Sequence, residues 1–249
     1  MGEVIAFVSG KGGTGKTSTC AGVAIALASR GDRVLCIDCD VGLRNLDISL
    51  GISELGALSF QEVCRGGYSL SQATVHPEFP KLSFLTAPMN CSCEDVEPEA
   101  FGQMLCLAKR EFDYIFLDAP AGTDAGFRLA TRFADRCVLV TGSDPASIRD
   151  AGRTGEILEQ MGKRNVRLVV NRIKPKMVTA MALTVDDVMD QAGLPLLGIV
   201  PEDENVTFAA AFGKSVQRYA KKTPAAGAYD RIAYRIQGMP ARIPIRSFK

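Results

Sequence analysis

The sequence predicts an α/β fold in which helices cover both faces of a mostly parallel β-sheet. Short, nearly unbroken apolar runs recur along the 249 residues, as expected for strands that are buried on both faces. Longer segments with helical periodicity separate these runs, and such alternation is typical of parallel sheets. A glycine-rich loop joins the first apolar run to the first helical segment, which is a recurrent unit of such folds.

The individual elements follow from apolar periodicity and from helix start signals such as Pro98 and Asp144-Pro145. Strands are predicted at residues 3–8, 33–38, 82–86, 113–118, 136–141, 166–171 and 196–200. Helices are predicted at residues 16–29, 98–110, 124–134, 144–161, 184–192, 204–212 and 224–236, with smaller ones within 42–50 and 58–76. Because no repeat or linker interrupts this series, one domain is predicted for residues 1–237, followed by a tail at 238–249.

Composition and charge exclude several classes of protein. The chain has 29 Lys and Arg against 28 Asp and Glu, and a net charge of +1 does not favour a protein that coats nucleic acid. No sequence-specific nucleic-acid binding is expected. No apolar run approaches the length of a transmembrane span, and the N-terminus lacks the layout of a signal peptide, so a cytoplasmic protein is expected.

Cysteine and histidine usage gives little evidence of catalysis. The eight cysteines are expected to be reduced thiols, and Cys36, Cys106 and Cys137 are predicted to lie in the core. The loop pair Cys91 and Cys93 could ligate a metal, although the reduced-thiol interpretation is favoured. The single histidine lies in a loop flanked by proline and is not expected to be catalytic.

The motif G-x-x-x-x-G-K-[ST] stands at residues 10–17 and predicts a P-loop. Glycines allow the backbone N–H groups to turn inward around a phosphate chain, and the following helix points its positive end at the same anion. Lys16 can reach the outer phosphates, and the Thr17 hydroxyl can ligate Mg²⁺. The predicted nucleotide contacts in this loop are Gly10, Lys11, Gly12, Gly13, Thr14, Gly15, Lys16, Thr17 and Ser18.

Lys11 places a second cation inside the same loop. Two ammonium groups close together are unfavourable unless a polyanion shares them, so Lys11 is interpreted as functional rather than as a solvated loop residue.

Three carboxylates are expected beside the P-loop, because ligands bind at the carboxyl ends of parallel strands. Asp38 and Asp118 each end an apolar run, and Asp118 stands where a Walker B aspartate would hold Mg²⁺. Asp40 is the candidate to orient an attacking water, with a helix cap before Leu43 as the alternative. Farther along, Asn171 and the turn at Pro201, Glu202 and Asp203 could contact an adenine base.

Taken together, these motifs resemble those of the ParA/MinD superfamily of deviant Walker A ATPases. Residues 11–17 match its deviant loop, residues 38–47 resemble switch I of its MinD members, and residues 118–122 resemble switch II. Val170-Asn171-Arg172 and residues 199–203 resemble the segments that contact the base, and Ser147-Ile148-Arg149-Asp150 resembles the start of the helix that meets regulators.

The resemblance implies an activity and a cycle. ATP and Mg²⁺ are the expected cofactors, with Thr17, Asp38 and Asp118 at the metal and Lys11, Lys16 and Asp40 in catalysis. Two subunits would dimerise face to face around two ATP molecules, with Lys11 reaching the partner's phosphates, and a regulator would stimulate slow hydrolysis. The ATP-bound dimer would attach to the inner face of the cell membrane and recruit a division inhibitor there.

The tail departs from the amphipathic helix that anchors MinD members to membranes. Apolar and basic residues alternate here, which suits an anionic surface, but Pro244 would interrupt a helix begun at Pro240. Weak membrane binding and a disordered basic tail are both open.

Three further functions stay open at this stage. A related ATPase could position flagella or another cargo instead of the division site. A different class, the metal-cluster or electron-transfer ATPases, would need bridging cysteines, for which Cys91 and Cys93 lack the expected partner spacing. A nucleotide-binding scaffold without turnover is a third class.

Overall fold

A computed structural model gives the structure of the protein, and it describes residues 1–41, 43–89, 95–174 and 184–243. The strands are β1 (Glu3–Val8), β2 (Val34–Asp38), β3 (Thr74–Val75), β4 (Leu82–Leu85), β5 (Tyr114–Asp118), β6 (Arg136–Thr141), β7 (Val166–Ile173) and β8 (Leu196–Pro201). The helices of the described ranges are α1 (Lys16–Ser29), α2 (Leu46–Leu50), α3 (Phe60–Cys64), α4 (Pro98–Glu111), α5 (Ala125–Arg132), α6 (Pro145–Gln160), α7 (Val185–Ala192), α8 (Glu204–Ala211), α9 (Val216–Tyr219) and α10 (Pro224–Ile236).

These strands form one sheet in the order β3-β4-β2-β5-β1-β6-β7-β8. All pairs are parallel except β3 with β4, so the predicted mostly parallel α/β fold is confirmed. The carboxyl ends of the seven parallel strands therefore meet at one edge, and their amino ends meet at the opposite edge. The register places Asp38 beside Asp118 at the carboxyl edge.

Helices pack on both faces of the sheet, because the strand side chains are apolar on both sides. One core cluster includes residues of α4, α5, α6 and α7, and the other includes residues of α1 and α10. Cys36 and Cys39 belong to different clusters, because residues three positions apart along an extended chain point to opposite sides. Every helix of the described ranges is too short or too polar to cross a membrane.

The structure corrects one residue of the sequence interpretation and adds two elements. Cys36 and Cys137 are buried as predicted, but Cys106 is exposed because it lies on the outer face of α4. The edge strand β3 and the short helix α9 have only two and four residues, which is too short for a periodic pattern to reveal.

The helix α10 ends in a left-handed glycine, Gly238, with φ of 76°. The next N–H, that of Met239, donates to Tyr234 O at 2.9 Å, and this turns the chain back along the body. Residues 239–243 are not helical, and Ile243 packs against the core. Residues 244–249, half of the predicted tail segment, lie outside the described residues.

Candidate functional site

The glycine-rich loop connects the end of β1 to the start of α1 at the carboxyl edge of the sheet. Gly13 and Gly15 have φ of 80° and 82°, in the left-handed region that favours glycine. A Cβ at Gly12 or Gly13 would meet no atom within 4 Å, so open space lies beside these residues. Gly10 is different, because its Cβ would come within 2.7 Å of Asp150 O on α6. The loop is thus open on its outer side and packed tightly against α6 at its start.

A buried ion pair lies directly behind the loop. Lys16 Nζ is 2.6 Å from Asp118 Oδ1, and the two side chains are 7% and 1% exposed. The Thr17 hydroxyl donates to the other carboxylate oxygen, Asp118 Oδ2, at 2.7 Å. Burial would lower the pKa of Lys16, but the charge and hydrogen bond of Asp118 outweigh it and raise that pKa. The ammonium group is therefore held in its charged form.

Asp38 is the second buried carboxylate of this cluster. Its oxygens accept hydrogen bonds from the backbone N–H groups of Asp40 at 2.9 Å and Leu46 at 3.1 Å. Burial, and then the neighbouring charge of Asp118, raise the pKa of Asp38 to about 7. The two buried, neighbouring carboxylates of Asp38 and Asp118 favour a bound cation, since a cation stabilises both charges at once.

Asp40 follows this cluster and lines the cavity in front of the loop. Its Oδ1 accepts a hydrogen bond from Leu43 N at 3.3 Å, which is the contact that the capping alternative requires. The helix itself begins only at Leu46, with Asn45 at its N-cap. The backbone contact thus forms in a loop, and it leaves the second carboxylate oxygen outside this bond.

The cavity has a volume of about 460 Å³ and lies between the loop and the end of β8. The sequence-predicted residues brought together here include Gly12, Gly13, Thr14, Gly15, Lys16, Thr17, Ser18, Asp40, Asn171, Arg172, Pro201, Glu202 and Asp203. Lys11, Asp38 and Asp118 do not line it, because Lys11 extends sideways and the two aspartates lie beneath the loop.

Asn171 and Arg172 support the loop from β7. The Asn171 amide Nδ2 donates to Thr14 O at 2.7 Å, and Arg172 Nη1 donates to Gly13 O at 3.1 Å. Arg172 also pairs with Glu202 at 3.1 Å and has φ of 56°, a strained value for a residue with a side chain. These contacts add a positioning role that motif spacing does not reveal, because 157 residues separate the partners Asn171 and Thr14.

Asp203 lines the cavity, and its carboxylate also makes local hydrogen bonds. Its carboxylate accepts from Asn205 N at 3.0 Å, where it caps α8, and from Ala225 N at 3.1 Å, near the start of α10. It therefore fixes the two helices that frame one side of the cavity.

Lys11 points away from the cavity toward the start of α6. Its Nζ is 3.7 Å from Asp144 Oδ1, and both side chains are about half exposed, at 47% and 46%. Asp144 is also the N-cap of α6 and accepts from Ser147 N at 3.0 Å. The hydrogen bonds of Ser147, followed by the charge of Lys11, keep the pKa of Asp144 below its ordinary value. From the sequence, Asp144 is predicted only as a helix start, and no spacing rule pairs it with Lys11.

Comparison with known proteins adds the family. The model of the CobQ/CobB/MinD/ParA nucleotide-binding domain matches residues 5–216. The chain belongs to this family. The septum site-determining protein MinD of Bacillus subtilis is 37% identical over 244 residues, which cover 96% of this chain and 90% of that protein.

Solved structures agree with this family membership. The MinC:MinD cell division protein complex of Aquifex aeolicus has a MinD-like chain with a TM-score of 0.88 and 35% identity, covering 97% of this chain and 98% of that one. The septum site-determining protein MinD of Pyrococcus horikoshii, solved with Mg-ADP, has a TM-score of 0.79 and 26% identity, covering 95% and 96%. The MinD-like resemblance read from the sequence is confirmed, and with it the place of this family among regulators of cell division.

The donor set at the loop fits Mg²⁺, which prefers hard oxygen ligands and keeps several waters. Thr17, Asp38 and Asp118 offer hydroxyl and carboxylate oxygens within one small buried cluster. In the described part of the chain, no group of three or more His, Cys, Asp or Glu side chains forms a separate metal site. The cysteine pair of the metal-cluster alternative, Cys91 and Cys93, lies outside the described residues.

Proposed function

We infer that this chain is a slow, regulator-stimulated ATPase switch that dimerises with ATP and helps to place the division septum. The observation that carries the proposal is the buried cluster of Lys16, Thr17, Asp118 and Asp38 behind an open glycine loop. Family membership supports ATP as the substrate, since the family's domain binds nucleotides and a relative binds Mg-ADP.

The phosphate chain of ATP would lie in the loop, with the adenine toward Asn171 and the turn at 201–203. Lys16 then exchanges its ion pair with Asp118 for the outer phosphate oxygens, which frees Asp118 for the metal. Thr17 and Asp118 would hold Mg²⁺ directly or through water, with Asp38 beside them. Bound Mg²⁺ neutralises charge on the β- and γ-phosphates.

Hydrolysis requires a water aligned with the γ-phosphorus, and Asp40 is the side chain placed to hold it. The carboxylate lines the cavity and can accept a hydrogen bond from that water. The water oxygen forms the new bond to phosphorus, the bond to the leaving ADP oxygen breaks, and the products are ADP and phosphate. Asp40→Ala is expected to keep ATP binding and lose phosphate release.

Dimerisation accounts for Lys11. Lys11 is half exposed, and its ion-pair partner among the described residues is the half-exposed Asp144. It can move at little cost, because such surface pairs contribute about 0–1 kcal/mol. We place its ammonium at the phosphates of the partner subunit in the ATP-bound dimer. ATP binding and subunit association are thereby coupled through one side chain.

A solved complex of a relative indicates which partner this switch would control. The Aquifex aeolicus complex contains MinC with MinD, and we extend that pairing to a division inhibitor that binds this chain. A stimulating regulator is placed at the start of α6, at Ser147-Ile148-Arg149-Asp150. The proposed location is the cytoplasm, with peripheral attachment of the ATP-bound dimer to the inner face of the membrane through residues 238–249.

The test measures hydrolysis, association and attachment on the same preparations. Phosphate release is measured with sedimentation in ATP and in ADP, and vesicle co-sedimentation compares the full chain with a variant that lacks residues 238–249. We expect dimers and vesicle binding only with ATP, and loss of vesicle binding without the tail. A chain that stays monomeric in ATP while Asp40→Ala leaves phosphate release unchanged would refute the switch.

A further inference from the structure

A basic cavity lies at the amino edge of the sheet, opposite the P-loop. Its volume is about 440 Å³, and it is formed by the starts of β6, β7 and β8 and by the end of α10. Three arginines, Arg136, Arg167 and Arg235, line it, and none of its lining residues is Asp or Glu. Such a concentration of one charge in a concave site is unfavourable unless an anion shares it.

One of the three guanidinium groups has a counter-charge. Arg136 Nη2 lies 2.9 Å from Glu3 Oε1, and its Nη1 donates to Ile236 O at 3.1 Å. Its side chain is 18% exposed, and its Nε is buried without a hydrogen-bond partner in the described residues. Arg136 is therefore held in place as part of the cavity wall and is not a flexible ligand contact.

Among the residues that the structure describes, Arg235 is bound only by neutral groups. Its two terminal nitrogens donate to Leu196 O at 3.0 Å and to Ala241 O at 3.4 Å, and carbonyl oxygens do not neutralise a positive charge. A guanidinium has five N–H donors, so donors remain after these two bonds. The side chain is thus oriented by the backbone while its charge stays uncompensated.

Arg167 is the exposed member of the group. It lies on β7 with its side chain on the α10 side of the sheet, because its neighbours Val166 and Leu168 point into the other core cluster. Within the ranges that the structure describes, no carboxylate forms an ion pair with it. The cavity therefore carries about two uncompensated positive charges, from Arg167 and Arg235.

We propose that these arginines form a phosphate-binding site, separate from the nucleotide site, for the phosphate group of an anionic lipid or of a small phosphate ester. The guanidinium fork matches phosphate oxygens in a way that an ammonium does not. Arg167 supplies the direct contact, Arg235 supplies fixed charge on the cavity wall, and the paired Arg136 completes that wall. The lipid source rests on the membrane attachment inferred above, whereas a soluble ester does not.

The path of the tail favours this location. Gly238, Met239 and Pro240 line the cavity, so the chain passes beside the basic site before Ile243 packs against the core. The exposed Arg242 follows directly and adds a further cation beside it. A phosphate bound here would lie beside the start of the basic, apolar tail. The site and the tail could therefore bind to one anionic surface together.

The first arm of the test uses soluble ligand. Glycerol 3-phosphate is titrated by calorimetry into the full chain saturated with ADP and Mg²⁺, so that the P-loop is filled. We expect Arg167→Gln to weaken the binding about tenfold, which is typical of losing a charged hydrogen bond. The matched control is Arg110→Gln, which removes one exposed arginine of α4 outside the cavity and should change affinity by less than about twofold.

The second arm compares binding to phosphatidylglycerol vesicles with binding to phosphatidylcholine vesicles. The proteins are again the full chain, Arg167→Gln and Arg110→Gln. Soluble binding that only Arg167→Gln weakens identifies a small phosphate ester as ligand. If Arg167→Gln alone loses binding to phosphatidylglycerol vesicles, and glycerol 3-phosphate does not bind, the ligand is the lipid headgroup. Equal behaviour of Arg167→Gln and Arg110→Gln in both arms, or no binding in either, overturns the proposal.

Two controls keep the result interpretable. Thermal unfolding checks that Arg167→Gln is folded, and Arg167→Lys, which keeps the charge and loses the fork, is measured beside it. If the lysine variant bound as well as wild type, general charge rather than a phosphate site would explain the binding. Since the soluble arm uses ADP-loaded protein, absence of ATP hydrolysis or of dimers would defeat the proposed switch and leave this result standing.

Discussion

The buried carboxylate of Asp38 predicts how stability depends on pH. Its ordinary pKa of 3.8 applies in the unfolded chain, whereas burial and the nearby Asp118 raise it to about 7 in the folded protein. Between these values the folded state holds a proton that the unfolded state has lost. The stabilisation from this proton is complete below about pH 4 and disappears as pH rises through 7.

The size of the effect follows from the shift. About three pKa units correspond to about 4 kcal/mol in the free energy of unfolding, as an upper bound. Asp38→Asn should remove this dependence. The asparagine loses one of the two backbone hydrogen bonds, from Asp40 N or Leu46 N, and this loss is the same at every pH. The comparison therefore uses the slope with pH and not the absolute stability.

Urea unfolding with a metal chelator, at pH 5 and at pH 8, measures this slope. Wild type should lose more stability than Asp38→Asn on going to pH 8, and the exposed control Asp190→Asn should behave as wild type. Added Mg²⁺ should recover stability at pH 8 in wild type, because metal ligands must be ionised. Equal slopes for wild type and Asp38→Asn would refute the argument that Asp38 is held protonated.

Three further substitutions, with Asp144→Asn as a control for one of them, test the loop. Lys16→Ala should weaken ATP binding about tenfold to a hundredfold in a fluorescence titration, because a buried charged donor to phosphate is lost; unchanged affinity would contradict its role. Lys11→Ala should bind ATP normally but sediment as a monomer with ATP. The control Asp144→Asn, which removes the ion-pair partner of Lys11 in the monomer, should still dimerise. A dimer of Lys11→Ala would exclude the contact across subunits. Asn171→Ala leaves Thr14 O without its donor and should cost about 1–3 kcal/mol in thermal unfolding or the equivalent in nucleotide affinity, and no change in either would contradict a loop-supporting role.

Much of this architecture was predictable, because its signals are local. The run 3–8, the glycine loop and the helix 16–29 follow one another in sequence, and the structure has these elements with the same bounds. Asp118 could be placed behind the loop because parallel strands bring their carboxyl ends to one edge. Periodicity and strand polarity therefore suffice for the fold and for the position of Asp38 and Asp118 at the carboxyl edge.

Side-chain partners across long separations were not predictable in the same way. Asn171 was expected at the base, and the structure adds a contact of its amide with the loop backbone at Thr14. The direction of an amide at a strand end depends on tertiary packing. The pairing of Lys11 with Asp144 likewise requires the distance between the loop and α6. Cys106 shows the same limit, since an apolar neighbourhood in sequence does not reveal which face of α4 is outward.

The contact between the loop and α6 connects the two halves of the proposed cycle. Gly10 packs against the α6 backbone at Asp150, and Lys11 pairs with Asp144, the residue that caps the same helix. When Lys11 leaves for the partner's phosphates, Asp144 keeps its hydrogen bonds from Ser147, so the helix stays capped. The start of α6 then gains an uncompensated negative charge at its surface. A regulator that binds this segment through basic side chains would thus prefer the ATP-bound dimer, with no change in the helix itself.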